Sequence, residues 1–92
     1  MKVTDEVEAE LKRACAAFPK FASAHEGYAV LLEEVDELWE LVKVKQSKHD
    51  HAKMRAEAMQ IAAMAIRFIV DVCAPTNEQL TLDEYVQLTK GR

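Results

Sequence analysis

In the run HEGYAVLLEEVDELWEL, which begins at His25, a glutamate occupies a position where a helix calls for an apolar side chain. On a wheel of roughly 100° per residue, Val30, Leu31, Val35, Leu38, Leu41 and Val42 form a broad apolar arc, extended by Leu32, Tyr28 and Trp39. Glu34 falls inside that arc, between Val30 and Leu41 on one side and Leu38 on the other. Glu37 stands at the arc's edge, about 60° from Glu34. A buried carboxylate costs several kcal/mol unless it meets a cation, a hydrogen-bond network or a proton. Packing alone gives no reason for Glu34, so a ligand is the expectation.

The rest of the chain reads as helix around this segment. It has 92 residues, half of them apolar, and only two glycines and two prolines, which suits one small all-α domain spanning 1–92. A first helix is expected from about Thr4, as N-cap, to Phe18, with Val7, Leu11, Ala14, Cys15 and Phe18 at helical spacing and Pro19 ending it. Ser23-Ala24-His25-Glu26 fits a capping box that opens a second helix running to about Lys45. A polar connection, Gln46 to His51, leads to a third helix from about Ala52 to Cys73, halted by Pro75. Another capping box, Thr81-Leu82-Asp83-Glu84, starts a last helix of about two turns. The expected fold is a helical bundle: two long antiparallel helices, short N- and C-terminal helices, and completion by oligomerisation. The third helix motivates the last point. It is apolar over more than half its circumference, including Met54, Ile61, Ile66, Phe68 and Ile69, and its polar stripe is only Lys53, Glu57, Gln60, Arg67 and Asp71.

Composition narrows the function. A formal net charge of −4 leaves no basic stripe for a nucleic-acid backbone. No signal-peptide pattern opens the sequence, and the longest apolar stretch, Ile61 to Ala74, is broken by Arg67 and Asp71, so no membrane partner and a cytoplasmic location are expected. Cys15 and Cys73 read as reduced core thiols. His25 lacks a second metal-spaced partner, and His49 and His51 read as solvent-exposed. Tyr28 and Trp39 read as core or interface aromatics rather than stacking platforms.

With the two long helices side by side, Glu34 and Glu37 can face Glu57 and Gln60, since a spacing of three keeps each pair on one face. Three carboxylates and an amide oxygen are ligands of the kind a hard divalent cation takes, and magnesium adds phosphate oxygens. At these residues the chain resembles a known family. Leu32-Glu33-Glu34-Val35-Asp36-Glu37-Leu38 is similar to the EExxE motif of the MazG-like, all-α nucleoside triphosphate pyrophosphohydrolases. Glu57-Ala58-Met59-Gln60 stands where those proteins carry ExxD, and the resemblance covers roughly Phe21 to Val72.

The resemblance implies magnesium-dependent cleavage of a nucleoside triphosphate between its α and β phosphates, manganese being a possible substitute, by a homodimer or homotetramer. It makes Glu34, Glu37 and Glu57 metal ligands, with Gln60 in the fourth position, and gives Glu33 the task of orienting or deprotonating the attacking water. Lys53, Arg55 and Arg67 are candidates for phosphate contacts, Lys53 and Arg67 sharing the stripe with Glu57 and Gln60. Gln60 departs from the family's aspartate, and it favours an alternative: a non-catalytic helical oligomer that binds nucleotide or protein. A redox di-metal bundle would need Glu-x-x-His pairs that the sequence lacks.

Overall fold

A computed structural model describes residues 2–73. Every regular element among them is helical: α1 (Val3–Ala17), α2 (Ala24–Val42), a short 3-10 turn (Gln46–Lys48) and α3 (His51–Phe68), whose end widens into π geometry over Ile69–Cys73. The expected C-terminal helix lies outside the described residues.

Local chemistry explains most of the boundaries. Ser23 caps α2 by accepting the Glu26 N–H at 3.1 Å, and Glu26 reaches back to the Ala22 N–H at 3.0 Å. Asp50 does the same for α3, accepting the Lys53 N–H at 3.1 Å, a cap hidden in what reads as a polar linker. Thr4 is not a cap: α1 starts at Val3 after Lys2, without a side-chain cap bond. The second helix stops at Val42 rather than Lys45, and the His49 ring N–H meets the Val42 carbonyl at 3.0 Å. His49 is therefore half-buried and not the free surface residue its polar surroundings suggest.

α3 is the element against which both α1 and α2 pack. The core joins Leu11 and Ala14 of α1 to Ala63 and Met64 of α3 and to Phe21 from the α1–α2 connection, with Cys15, Val30, Leu31, Ile66, Phe68 and Val72 around them. Cys73 is exposed and no part of that core, whereas burial pushes the Cys15 thiol above its ordinary range. Glu6 pairs with Arg55, and Gln60 donates to Glu10, so polar contacts also join α1 to α3.

Sequence and structure part company on where the surplus apolar surface lies. Met64 is buried, and Phe68 turns inward onto Gly27. The exposed large apolar residues are instead concentrated on α2, where Tyr28, Leu32, Val35 and Trp39 follow at i, i+4, i+7 and i+11 on one face.

Gly27 is set by close approach, not by backbone angle. A Cβ there would stand 2.6 Å from the Phe68 ring and 3.1 Å from that of Phe21. Gly27→Ala should therefore lower stability by about 1 kcal/mol, the overpacking cost exceeding the gain in helix propensity. Urea melts of the two proteins check this, and a more stable variant would mean that the ring turns aside freely.

Candidate functional site

α2 and α3 bring Glu34, Glu37 and Glu57 together, with a carboxylate oxygen of each within 4.8 Å of the others. Glu34 and Glu57 are half-buried and Glu37 is exposed. Like charges this close resist simultaneous ionisation. Burial and then the Glu37 and Glu57 carboxylates push Glu34 up to about 7, and burial followed by Glu37 pushes Glu57 up as well. Glu57 Oε2 is buried and has no hydrogen-bond partner. Protons or a cation would relieve such a group, and its oxygen donors are of the hard type.

The cluster opens into a cavity of about 620 Å³ between the three helices and the α1–α2 connection. One end is acidic, with Glu33, Glu34, Glu37 and Glu57. The other is apolar, with Phe18, Pro19, Phe21, Val30 and Met64, and Glu26 also lines the wall. On α2 the lining residues Glu26, Val30, Glu33 and Glu37 recur at spacings of four, three and four, which is one helical face.

The other expected site residues meet different fates. Glu33 reaches the cavity, exposed, but stands outside the three-carboxylate cluster. Gln60 lines the cavity while its side-chain amide donates to Glu10 Oε1. Glu10 is held below the usual carboxylate range by Arg13 and then by Gln60. Arg67 also lines the cavity, yet it is only 3% exposed, and its guanidinium is engaged. It donates to the Pro19 carbonyl at 2.6 Å, lies 3.8 Å from Asp71 and stacks 4.3 Å above the centre of the Phe21 ring. Lys53 is exposed and does not line the cavity, and Arg55 pairs with Glu6.

Comparison with family models, with curated proteins and with solved structures finds no match. The site must therefore be read from its own geometry. Sequence reasoning missed Arg13, Phe18, Phe21 and Glu26 as cavity-lining residues and Glu10 as the partner of Gln60. The signal for Phe18 and Phe21 is a pair of rings within two residues of Pro19, in a segment that otherwise reads as a helix stop.

The raised Glu34 fixes a pH dependence. A folded-state value near 7, above the ordinary 4.5, means that the folded protein keeps a proton which the unfolded chain has lost in between. Stability should then fall as pH rises from about 4.5 to about 7 and level off above. Glu6 and Glu10, both lowered, act in the opposite sense, but only below the ordinary carboxylate range. Glu34→Gln should flatten the slope between pH 5 and 7 and stabilise the metal-free protein at pH 8 by on the order of 1 kcal/mol, allowing for solvent screening. Thermal melts in chelator across that range measure it, and a large loss of stability would instead mark Glu34 as a structural hydrogen-bond partner.

Proposed function

We propose that this protein is a magnesium-dependent nucleoside triphosphate pyrophosphohydrolase of the MazG-like kind, releasing nucleoside monophosphate and pyrophosphate. The observation that carries the reading is the meeting of Glu34 and Glu37 with Glu57 at one point on a cavity wall. The two motif segments lie far apart in sequence, yet their acids converge. In this reading the long helices run antiparallel, supported by Gly27 near the start of α2 meeting Phe68 at the end of α3. Location is cytoplasmic and the partner a nucleotide, with neither nucleic acid nor membrane involved. Among the described residues, no helix is long and apolar enough to cross a membrane.

Glu34, Glu37 and Glu57 would hold the cation, which supplies positive charge against the phosphates and lowers the pKa of water. Gln60 commits its amide N–H to Glu10, which leaves its carbonyl oxygen as the one atom it can offer a cation. An aspartate there would instead face the Glu10 carboxylate. Glu33, at the exposed edge of the acidic end, orients the attacking water or accepts its proton. Arg67 acts by holding the cavity wall in place, its guanidinium being engaged. Lys53, exposed and off the cavity wall, would reach only the part of a nucleotide that projects out of the cavity. The exposed stripe Tyr28, Leu32, Val35 and Trp39 is the surface through which a homodimer or homotetramer would form. That stripe, with Gln60, also favours the second reading, a non-catalytic helical oligomer that binds nucleotide or protein.

Pyrophosphate release, screened over the common nucleotides with magnesium and with manganese, separates the two. Turnover with either ion is expected, and Glu57→Gln should abolish it; inactivity of the folded wild type on every nucleotide would favour the binding module. Gln60→Asp should tighten magnesium binding about tenfold by adding a charged ligand. It should also lower metal-free stability, through repulsion from Glu10 and the cluster. Calorimetric titration and melts in chelator read both effects, and unchanged metal affinity would remove Gln60 from the site.

A further inference from the structure

The apolar end of the cavity is built with more care than packing requires. Phe18, at the C-cap of α1, remains 57% exposed while lining the cavity. The Phe21 ring is fixed from one side by the Arg67 guanidinium, itself anchored on the Pro19 carbonyl. Phe21, only 8% exposed, backs the wall, while the open Phe18 ring offers flat apolar area at low entropic cost. Glu26 lines the same cavity, and its carboxylate is oriented by the Ala22 N–H on Oε1. That capping-box bond is the one hydrogen bond its carboxylate accepts among the described residues.

Position along α2 adds the second constraint. Glu34 follows Glu26 by eight steps along the helix, a rise of about 12 Å. An extended nucleotide covers a distance of that order between the edge of its base and its phosphate chain.

Resting on the reading of the acidic end as a metal–phosphate site, we infer that the apolar end is a slot for a planar heteroaromatic ring, and that Glu26 determines which ring. A carboxylate only accepts hydrogen bonds, so it pairs best with an edge offering two adjacent N–H donors. The guanine edge, a ring N–H beside an exocyclic amine, is of that kind. Adenine and cytosine place a ring-nitrogen acceptor beside their amine, and uracil and thymine flank their single N–H with carbonyls. Each of these sets an acceptor against an acceptor, which a hydrogen-bonding site rejects. Because Glu26 is exposed, the preference is modest, about tenfold.

Titration of the full chain with magnesium and non-hydrolysable α,β-methylene analogues of the four common ribonucleoside triphosphates, beside inorganic tripolyphosphate, tests this. The guanosine analogue should bind about tenfold more tightly than the others. Glu26→Gln keeps an oxygen for the Ala22 N–H and presents an amine in place of the free acceptor, so it should erase that lead without unfolding the cap. Phe18→Ala should reduce the ratio of nucleotide to tripolyphosphate affinity about tenfold, the usual worth of a stacking ring. A wild-type ranking without guanosine at its head, or one that Glu26→Gln leaves unchanged, would overturn the inference. So would an unchanged ratio in Phe18→Ala. Failure of the acidic-end reading shows separately, as wild-type protein that binds neither magnesium nor tripolyphosphate. In that event, shifts of the Met64 methyl and Phe18 ring resonances on adding free guanosine, larger than with uridine, would still support the slot, and their absence would sink it.

Discussion

Among the described residues one buried cation, Arg67, organises the packing. The Arg67 guanidinium joins the Pro19 carbonyl, the Asp71 carboxylate and the Phe21 ring, while Asp71 Oδ2 accepts the Phe21 N–H at 3.1 Å. The segment between α1 and α2 is thereby held against the end of α3. A charge withdrawn from water must recover its solvation from partners, and removing one partner leaves the others unpaired. The arrangement thus behaves as a unit, and it fixes the entry of α2, hence the register at which Glu34 and Glu37 meet Glu57. One nitrogen of Arg67, Nε, remains without a partner, so the network is not fully satisfied.

Against this compensated charge stands an uncompensated one. Arg67 has opposite charge, a carbonyl and a ring around it, whereas Glu34 and Glu57 meet mainly other carboxylates. Two polar groups on the same cavity wall are therefore treated in opposite ways: one is used to build, the other is left in tension. Stability alone would not select the second arrangement, which is why the proposed function rests on the cluster and not on the arginine.

The sequence made the helices and the acidic convergence legible, for a common reason. Helical period places Val30, Leu31 and Glu34 on one face whatever surrounds them, and a spacing of three pairs Glu34 with Glu37 and Glu57 with Gln60. Period does not reveal what a face meets. Arg67 lay in a polar stripe and so read as a solvent or phosphate residue; the chain from Pro19 to Phe21 folds over it, and it is buried. Gln60 read as a weakened metal ligand, and its amide hydrogen proves to have a partner on α1, Glu10, that no local pattern joins to it. Most of the apolar arc of α3 is covered by α1 and α2 together, Ile69 staying exposed, and the exposed apolar residues gather mainly on α2.

The attachment of α1 has a consequence for the cavity. Leu11 and Ala14 fasten the helix through apolar contact, but toward its start the tie to α3 is the pair Glu6–Arg55, whose members remain open to solvent. Ions in solution screen a pair of that sort over about 8 Å at physiological strength, and leave apolar burial nearly untouched. The wall of the cavity that α1 provides is accordingly secured by two unlike forces, one indifferent to salt and one responsive to it. Added salt weakens the grip at the beginning of α1 while the Leu11 and Ala14 anchor holds, and it also softens the repulsion among Glu34, Glu37 and Glu57. The ionic surroundings thus reach the cavity from the α1 wall and from the α2–α3 wall, with opposite effects on stability.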